Sequence, residues 1–204
     1  MNHSISAVIL AAGMSARMGQ PKQLLLLKGK PLLAHVIQAS LSVDFSEIIT
    51  VIGCQASKIQ KEILYDDARC RWAINVEYAK GQSSSLKTGL SNVGEQNAGI
   101  MIFLGDLPFI SNETIHLIYQ TGADMLHETA ESFIIQPEFE GKPGHPVFLG
   151  NFDRDIMGHL QGDRGAKAII DRISTYKRMA VNDKGILFDI DTPEIYMKAK
   201  SWNK

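Results

Sequence analysis

The sequence predicts an α/β fold: a doubly wound, Rossmann-like, mostly parallel sheet with helices on both faces. Three observations point to it. Continuous apolar runs, at Ala7 to Ala12, Ile48 to Ile52 and Gly99 to Leu104, suit strands buried on both faces. Stretches with helical apolar spacing separate them. Each run also ends at a glycine (Gly13, Gly53, Gly105), where the chain must turn out of a sheet. Strands alternating with helices build βαβ units, and ligands of such sheets lie at the carboxyl ends of the strands.

The elements follow in order. Pro31 to Leu41 places Leu32, Leu33, Val36, Ile37 and Leu41 on one helical face, and Ser57 to Leu64 is amphipathic. Ala73 to Tyr78 alternates as a strand does. Ser84 to Val93 reads as a helix opened by hydroxyl caps, and a further helix runs from Ser111 to about Gly122. The second half is less regular. Strands are predicted at 132–136, 146–149, 177–181 and 187–190, with helices at 165–173 and 193–201. With no repeat or linker, residues 1–204 read as a single domain.

Composition narrows the function. The chain is 45% hydrophobic and 21% charged, enough to bury roughly 70% of its unfolded surface without disulfide or structural metal. Its net charge of −1 and lack of a basic stripe argue against a nucleic-acid partner. Cys54 and Cys70 have no zinc spacing. Neither a signal peptide nor a membrane span is visible, so the expectation is a soluble, cytoplasmic protein.

Three strand-end loops carry the chemistry. Gly13 to Lys22 mixes Gly13, Ser15, Arg17, Gly19 and Lys22, so backbone N–H groups and two cations can meet a polyanion. Its spacing is neither a Walker loop nor a dinucleotide fingerprint. The same residues alone also fit a surface turn. Gly81 to Gly89 begins a helix with Ser83, Ser84 and Ser85, which suits an anion, a base edge or plain capping. Asp106 ends the third apolar run, where a hard cation could join it to phosphate oxygens. In strand periodicity Asp189 and Asp191 share a face and reach one ion, while Thr192-Pro193 caps a helix.

The stretch Leu10-Ala11-Ala12-Gly13-Met14-Ser15-Ala16-Arg17-Met18-Gly19-Gln20-Pro21-Lys22-Gln23-Leu24-Leu25 resembles the LAAGxSxRMGxxKxLL signature of the MobA-like nucleotidyltransferases. Gly81 to Gly89 resembles the family's GxGxSLxxG base-contacting segment, with Ser83 where glycine is common. Gly105-Asp106-Leu107-Pro108 looks like its GDxP motif, and Asp189 to Glu194 like DxDTPE. The resemblance implies a nucleotide-diphospho-sugar-transferase-like fold. It further implies a triphosphate wrapped by residues 10–13, 15, 17, 19 and 22, contacts from Gly81 and Ser83 to Ser85, and Mg²⁺ on Asp106, Asp191 and Asp189. Lys22, Arg17 and Asp106 become the catalytic set.

Gly144-His145-Pro146 and Gly162-Asp163-Arg164-Gly165-Ala166 are similar to the GHP and GDxGA features of the molybdenum cofactor cytidylyltransferase branch. That similarity places Gly144, His145, Pro146, Asp163, Arg164 and Gly165 at the acceptor. It implies transfer of a nucleoside monophosphate, CMP from CTP rather than GMP from GTP, to molybdopterin. Purine catabolism and a molybdoenzyme partner such as xanthine dehydrogenase come with it. A cytidylyltransferase for a sugar or isoprenoid phosphate, suggested by Pro21-Lys22-Gln23, and a non-catalytic cofactor chaperone are the competing readings.

Overall fold

The computed structural model describes residues 3–160, 162 and 165–202. In chain order the strands are β1 (Ser4–Leu10), β2 (Leu26–Leu27), β3 (Lys30–Pro31), β4 (Glu47–Ile52), β5 (Cys70–Ile74), β6 (Asn97–Leu104), β7 (Phe133–Phe139), β8 (Lys142–Pro143), β9 (Val147–Gly150) and β10 (Thr175–Ala180). The helices are α1 (Leu32–Ser40), α2 (Ala56–Glu62), α3 (Gln82–Asn92), α4 (Asn112–Glu128), α5 (Lys167–Ile170) and α6 (Pro193–Lys200).

The main sheet runs β10-β7-β9-β6-β1-β4-β5, with β8 paired to β7. The pairs β1–β4, β1–β6, β4–β5 and β7–β10 are parallel; β9 lies antiparallel between β6 and β7. The sheet is thus mostly parallel, as the apolar runs predict. Successive residues of each run face opposite ways. Ile5, Ala7, Ile9, Met101 and Phe103 join one core cluster with residues of α1, α2 and α4. Val8, Ile49, Val51, Ile100 and Ile102 join another with Leu86 and Leu90 of α3. A third cluster sets Leu27, Leu32, Phe109 and Ile190 against Ala199 of α6.

Several elements differ from expectation. The strand expected over 73–78 is β5, shifted toward the amino end, because Asn75 already bends: its side chain accepts the Glu77 N–H at 2.9 Å. Helix α4 passes through Gly122 to Glu128. That glycine is not a cap: a Cβ there would sit 2.4 Å from the Phe148 ring, so its bareness lets α4 close on the sheet. No strand forms over 187–190. A 3-10 turn (Lys184–Leu187) leads into irregular chain whose Ile190 N–H bonds the Asp106 carbonyl at 3.0 Å. The apolar-polar alternation there reflects one buried isoleucine, not sheet pairing. The helix expected over 165–173 is the single turn α5.

Candidate active site

The loop after β1 is stapled from within. Ser15 and Gly19 take left-handed conformations (φ 54° and 66°) on either side of a 3-10 turn whose Met18 is buried. Gln23, only 3% exposed, donates its amide to the carbonyls of Ala11 (2.8 Å) and Gly13 (3.2 Å). Ser15 Oγ accepts the Lys22 N–H at 3.1 Å. These bonds fix the root of Lys22 while leaving Gly13, Met14 and Arg17 exposed along the outer edge. Sequence reading gave Gln23 no role; its signal was a polar residue between a loop lysine and the apolar Leu24-Leu25.

Three aspartates approach this loop from two other segments. Asp106 leaves β6, and the Ile190–Asp106 backbone bond draws Asp189 and Asp191 alongside. Asp183 holds the returning segment: its carboxylate accepts the Ser111 N–H (2.8 Å), the Thr114 hydroxyl (2.8 Å) and the Gly185 N–H (2.9 Å). Gly185 packs so closely that a Cβ would fall 2.2 Å from the Phe109 carbonyl. Asp183 is a second residue the sequence reading passed over. Nothing in its local pattern announces a clamp formed with α4, whose start lies some seventy residues earlier.

Lys22 Nζ donates to Asp106 Oδ2 at 2.5 Å and also to Asp191 Oδ1; Arg17 donates to Asp191 Oδ2 at 2.6 Å. Burial pulls the Lys22 ammonium downward, but Asp106 and Asp191 outweigh it, and its pKa lies above the ordinary lysine value. Burial likewise opposes ionisation of Asp191, yet Lys22 and Arg17 hold its carboxyl below the usual range. Asp189 goes the other way: although the residue is exposed, partial desolvation, then the charges of Asp191 and Asp106, push it up. Asp106 Oδ1 is buried without a hydrogen-bond partner.

Several of the predicted residues line three cavities that share lining residues. One of about 470 Å³ is lined by Gly13, Ser15, Arg17, Lys22, Asp106, Gly144, His145, Asp189 and Asp191, among others. A second, about 320 Å³, is lined by Leu10, Ala11, Ala12, Gly13, Lys22, Tyr78, Gly81, Gln82 and Ser85. A third, about 790 Å³, extends from Leu104 and His145 past Gln136, Lys167, Tyr176 and Arg178. Gln82, at the first turn of α3, borders all three and was not foreseen.

Ser83 and Ser84 line none of these cavities. Ser83 Oγ accepts the Gly165 N–H (3.2 Å), tying α3 to the segment before α5, and Ser84 Oγ accepts from Asn75 (2.8 Å). Pro146 is buried behind His145, whose Nδ1 lies 3.3 Å from the Ile102 carbonyl; burial keeps that imidazole below its ordinary pKa. Gly19 stays at the loop's outer edge. Asp163 and Arg164 lie outside the described residues.

Residues 7–178 match the sequence pattern of the MobA-like NTP transferase domain. The chain belongs to that family. Its match covers the loop after β1 and Asp106, and stops before Asp189 and Asp191. Among relatives of this MobA-like domain, the purine catabolism protein PucB of Bacillus subtilis (strain 168) is 28% identical over 197 residues, 93% of this chain and 92% of that protein. The bifunctional protein GlmU of Psychrobacter sp. (strain PRwf-1) is 29% identical over 165 residues, 78% of this chain; the aligned region is 32% of GlmU's own length. Rv0371c from Mycobacterium tuberculosis H37Rv superposes with a TM-score of 0.80 at 27% identity, covering 99% of this chain and 100% of that one; another structure of it is a complex with manganese. The MobA-like domain is thus a nucleotidyltransferase domain on an α/β Rossmann-like sheet. Among the described residues, no helix is long and apolar enough to cross a membrane.

The carboxylate cluster offers the oxygen donors that a hard divalent cation takes. The unpartnered Asp106 Oδ1 and the raised Asp189 are both groups that a nearby positive charge would satisfy. Among the described residues, no three His, Cys, Asp or Glu side chains enclose a metal by themselves. That is compatible with Mg²⁺, which is commonly held by one or two carboxylates together with substrate phosphates.

Proposed function

We propose that residues 1–204 act as one Mg²⁺-dependent nucleotidyltransferase domain that moves CMP from CTP to molybdopterin, releasing pyrophosphate. The observation that carries the reading is the convergence of Lys22 with Asp106 and Asp191, three groups from separate segments meeting at one point beside a glycine-bearing loop. The near full-length similarity to PucB supports a place in purine catabolism, with a molybdoenzyme as eventual recipient of the cofactor. The size of the third cavity and its Gln136, Tyr176 and Arg178 side chains support an acceptor larger than a simple phosphate.

In this reading an oxygen of the acceptor phosphate, already ionised at neutral pH, attacks the α-phosphorus. The bond from that phosphorus to the bridging oxygen breaks, and pyrophosphate departs with the electron pair. No general base is required. Gly13, Ser15 and Gly19 shape the loop that aligns the chain of phosphates. Lys22 neutralises charge growing at the α-phosphate and Arg17 the charge on the leaving group. Asp106, with Asp191 and Asp189, would hold Mg²⁺, which supplies further charge neutralisation when bound. Gly81 and Ser85 border the nucleotide cavity, with Ser83 and Ser84 shaping it from behind. Gly144, His145, Pro146, Asp163, Arg164 and Gly165 serve the acceptor side.

Pyrophosphate release tests this, with CTP, GTP and ATP each offered with Mg²⁺ and molybdopterin, glucosamine 1-phosphate or methylerythritol phosphate. Turnover confined to CTP and molybdopterin is expected. Turnover with a sugar or isoprenoid phosphate instead would replace the acceptor assignment. Binding of molybdopterin and a molybdoenzyme without pyrophosphate would make the protein a carrier. Asp106→Ala should shift the Mg²⁺ titration to higher concentration; an unchanged titration removes Asp106 from the metal site.

A further inference from the structure

We propose that in the nucleotide-free protein the Lys22 ammonium keeps the metal carboxylates shut, so that a divalent cation enters only with a triphosphate that draws Lys22 away. The inference rests on the reading of this cleft as a triphosphate and metal site, and adds an order of events to it.

Lys22 Nζ bridges Asp106 Oδ2 and Asp191 Oδ1, and Arg17 takes Asp191 Oδ2. Three of the four oxygens on these two carboxylates are therefore held by cationic side chains. Lys22 does so from a sheltered position, its side chain 15% exposed, where ionic attraction is weakly screened. A divalent ion arriving alone meets a like charge between its two carboxylates. It gains only Asp106 Oδ1 and Asp189, and the described residues provide no complete cage.

A triphosphate changes both sides of that balance. It completes the oxygen shell of the ion, and its own oxygens offer Lys22 an alternative partner. The move requires little of the backbone. The root of Lys22 is bound to Ser15 and flanked by the stapled Gln23, and Lys22 already lines both the carboxylate cavity and the Gly81–Ser85 cavity. Rotation of one flexible side chain exchanges carboxylate partners for phosphate ones. The site then trades one compact cation for another without ever holding its aspartates uncompensated.

The test is Mn²⁺ binding, read from the electron paramagnetic resonance signal of the unbound ion, with folding of each variant checked by circular dichroism. Free wild-type protein should bind Mn²⁺ at least about tenfold more weakly than Lys22→Met or Lys22→Gln. A CTP analogue with a methylene between the α- and β-phosphorus should restore tight binding to the wild type. Arg17→Gln, which frees Asp191 Oδ2 but leaves Lys22 in place, should strengthen nucleotide-free binding by less than either Lys22 variant does. Tight Mn²⁺ binding to free wild-type protein, equal to that of the Lys22 variants, overturns the interlock while leaving the metal site intact. Absence of binding in both the variants and the analogue-loaded wild type overturns the metal site and the interlock together.

Discussion

The two ends of the sheet each hold partly buried carboxylates, and they are finished differently. At the amino end, Glu47 at the start of β4 accepts hydrogen bonds from Ser6 Oγ (2.9 Å), the Gly94 N–H (2.8 Å) and Asn97 Nδ2 (3.0 Å), and its other oxygen pairs with Arg71 (2.8 Å). Burial opposes its charge, but these donors win and hold its pKa below the usual value. At the carboxyl end Asp106 keeps an empty buried oxygen and Asp189 is pushed up by its neighbours. The same residue chemistry is a fully bonded structural joint at one end and, at the other, a cluster with an unpaired acceptor. An incompletely satisfied carboxylate cluster beside a cavity is where a ligand belongs.

The contrast can be broken from either side. The largest effect should come from Lys22→Ala. Turnover should fall a few hundredfold, about 3–4 kcal/mol of transition-state stabilisation, with the fold retained by circular dichroism. Near wild-type turnover in that folded variant would contradict the assignment. Glu47→Ala, by comparison, should cost about 2–3 kcal/mol of stability in urea denaturation, because it removes the acceptor shared by Ser6, Arg71, Asn97 and the Gly94 N–H. The kcat of its folded fraction should stay near wild type.

Gly13→Ala sharpens the comparison further. A Cβ at Gly13 meets no atom within 4 Å, yet the residue borders two cavities. The melting temperature should hold while KM for the nucleotide rises about tenfold, roughly one lost phosphate contact. An unchanged KM would show that the triphosphate does not approach there.

The smallest effect concerns pH. Glu47's native pKa lies below its unfolded value. Its stabilisation is complete above the ordinary glutamate range, about 4.3, and is lost as pH falls through the native value. Asp189 has the opposite sign: its cost is present above its raised pKa and vanishes as pH falls to about 3.9. Asp189→Asn should therefore raise the melting temperature by about 1 °C at pH 7, a small gain because the side chain is exposed, and give no gain near pH 4. A gain that persists at pH 4 would mean the charge is not its source.

What could be read from the chain tracks how local the cause is. β1, β4 and β6 are legible because each is a short apolar run buried on both faces, and the loop from Gly13 to Lys22 because its residue types are unusual together. Strand alternation does not set the direction of Asp191; a backbone bond from Ile190 to Asp106 does. The roles of Gln23, Gln82 and Asp183 depend on partners brought close only by the fold. Ser83 and Ser84 have the composition of ligand donors, but their hydroxyls join α3 to neighbouring loops.

The docking of α6 has one more consequence. Trp202 stacks on Phe109 (4.7 Å between ring centres, 11° apart) and against Phe188, its carbonyl accepts from Lys28, and the Tyr196 hydroxyl bonds the Leu26 carbonyl. The segment bearing Asp189 and Asp191 is anchored through this aromatic clasp. As the ribosome releases the chain from its amino end, the glycine-bearing loop and Asp106 emerge well before their partners. The centre stays incomplete until residues 188–202 have emerged and settled, so competence follows the docking of this clasp and not the earlier appearance of the loop.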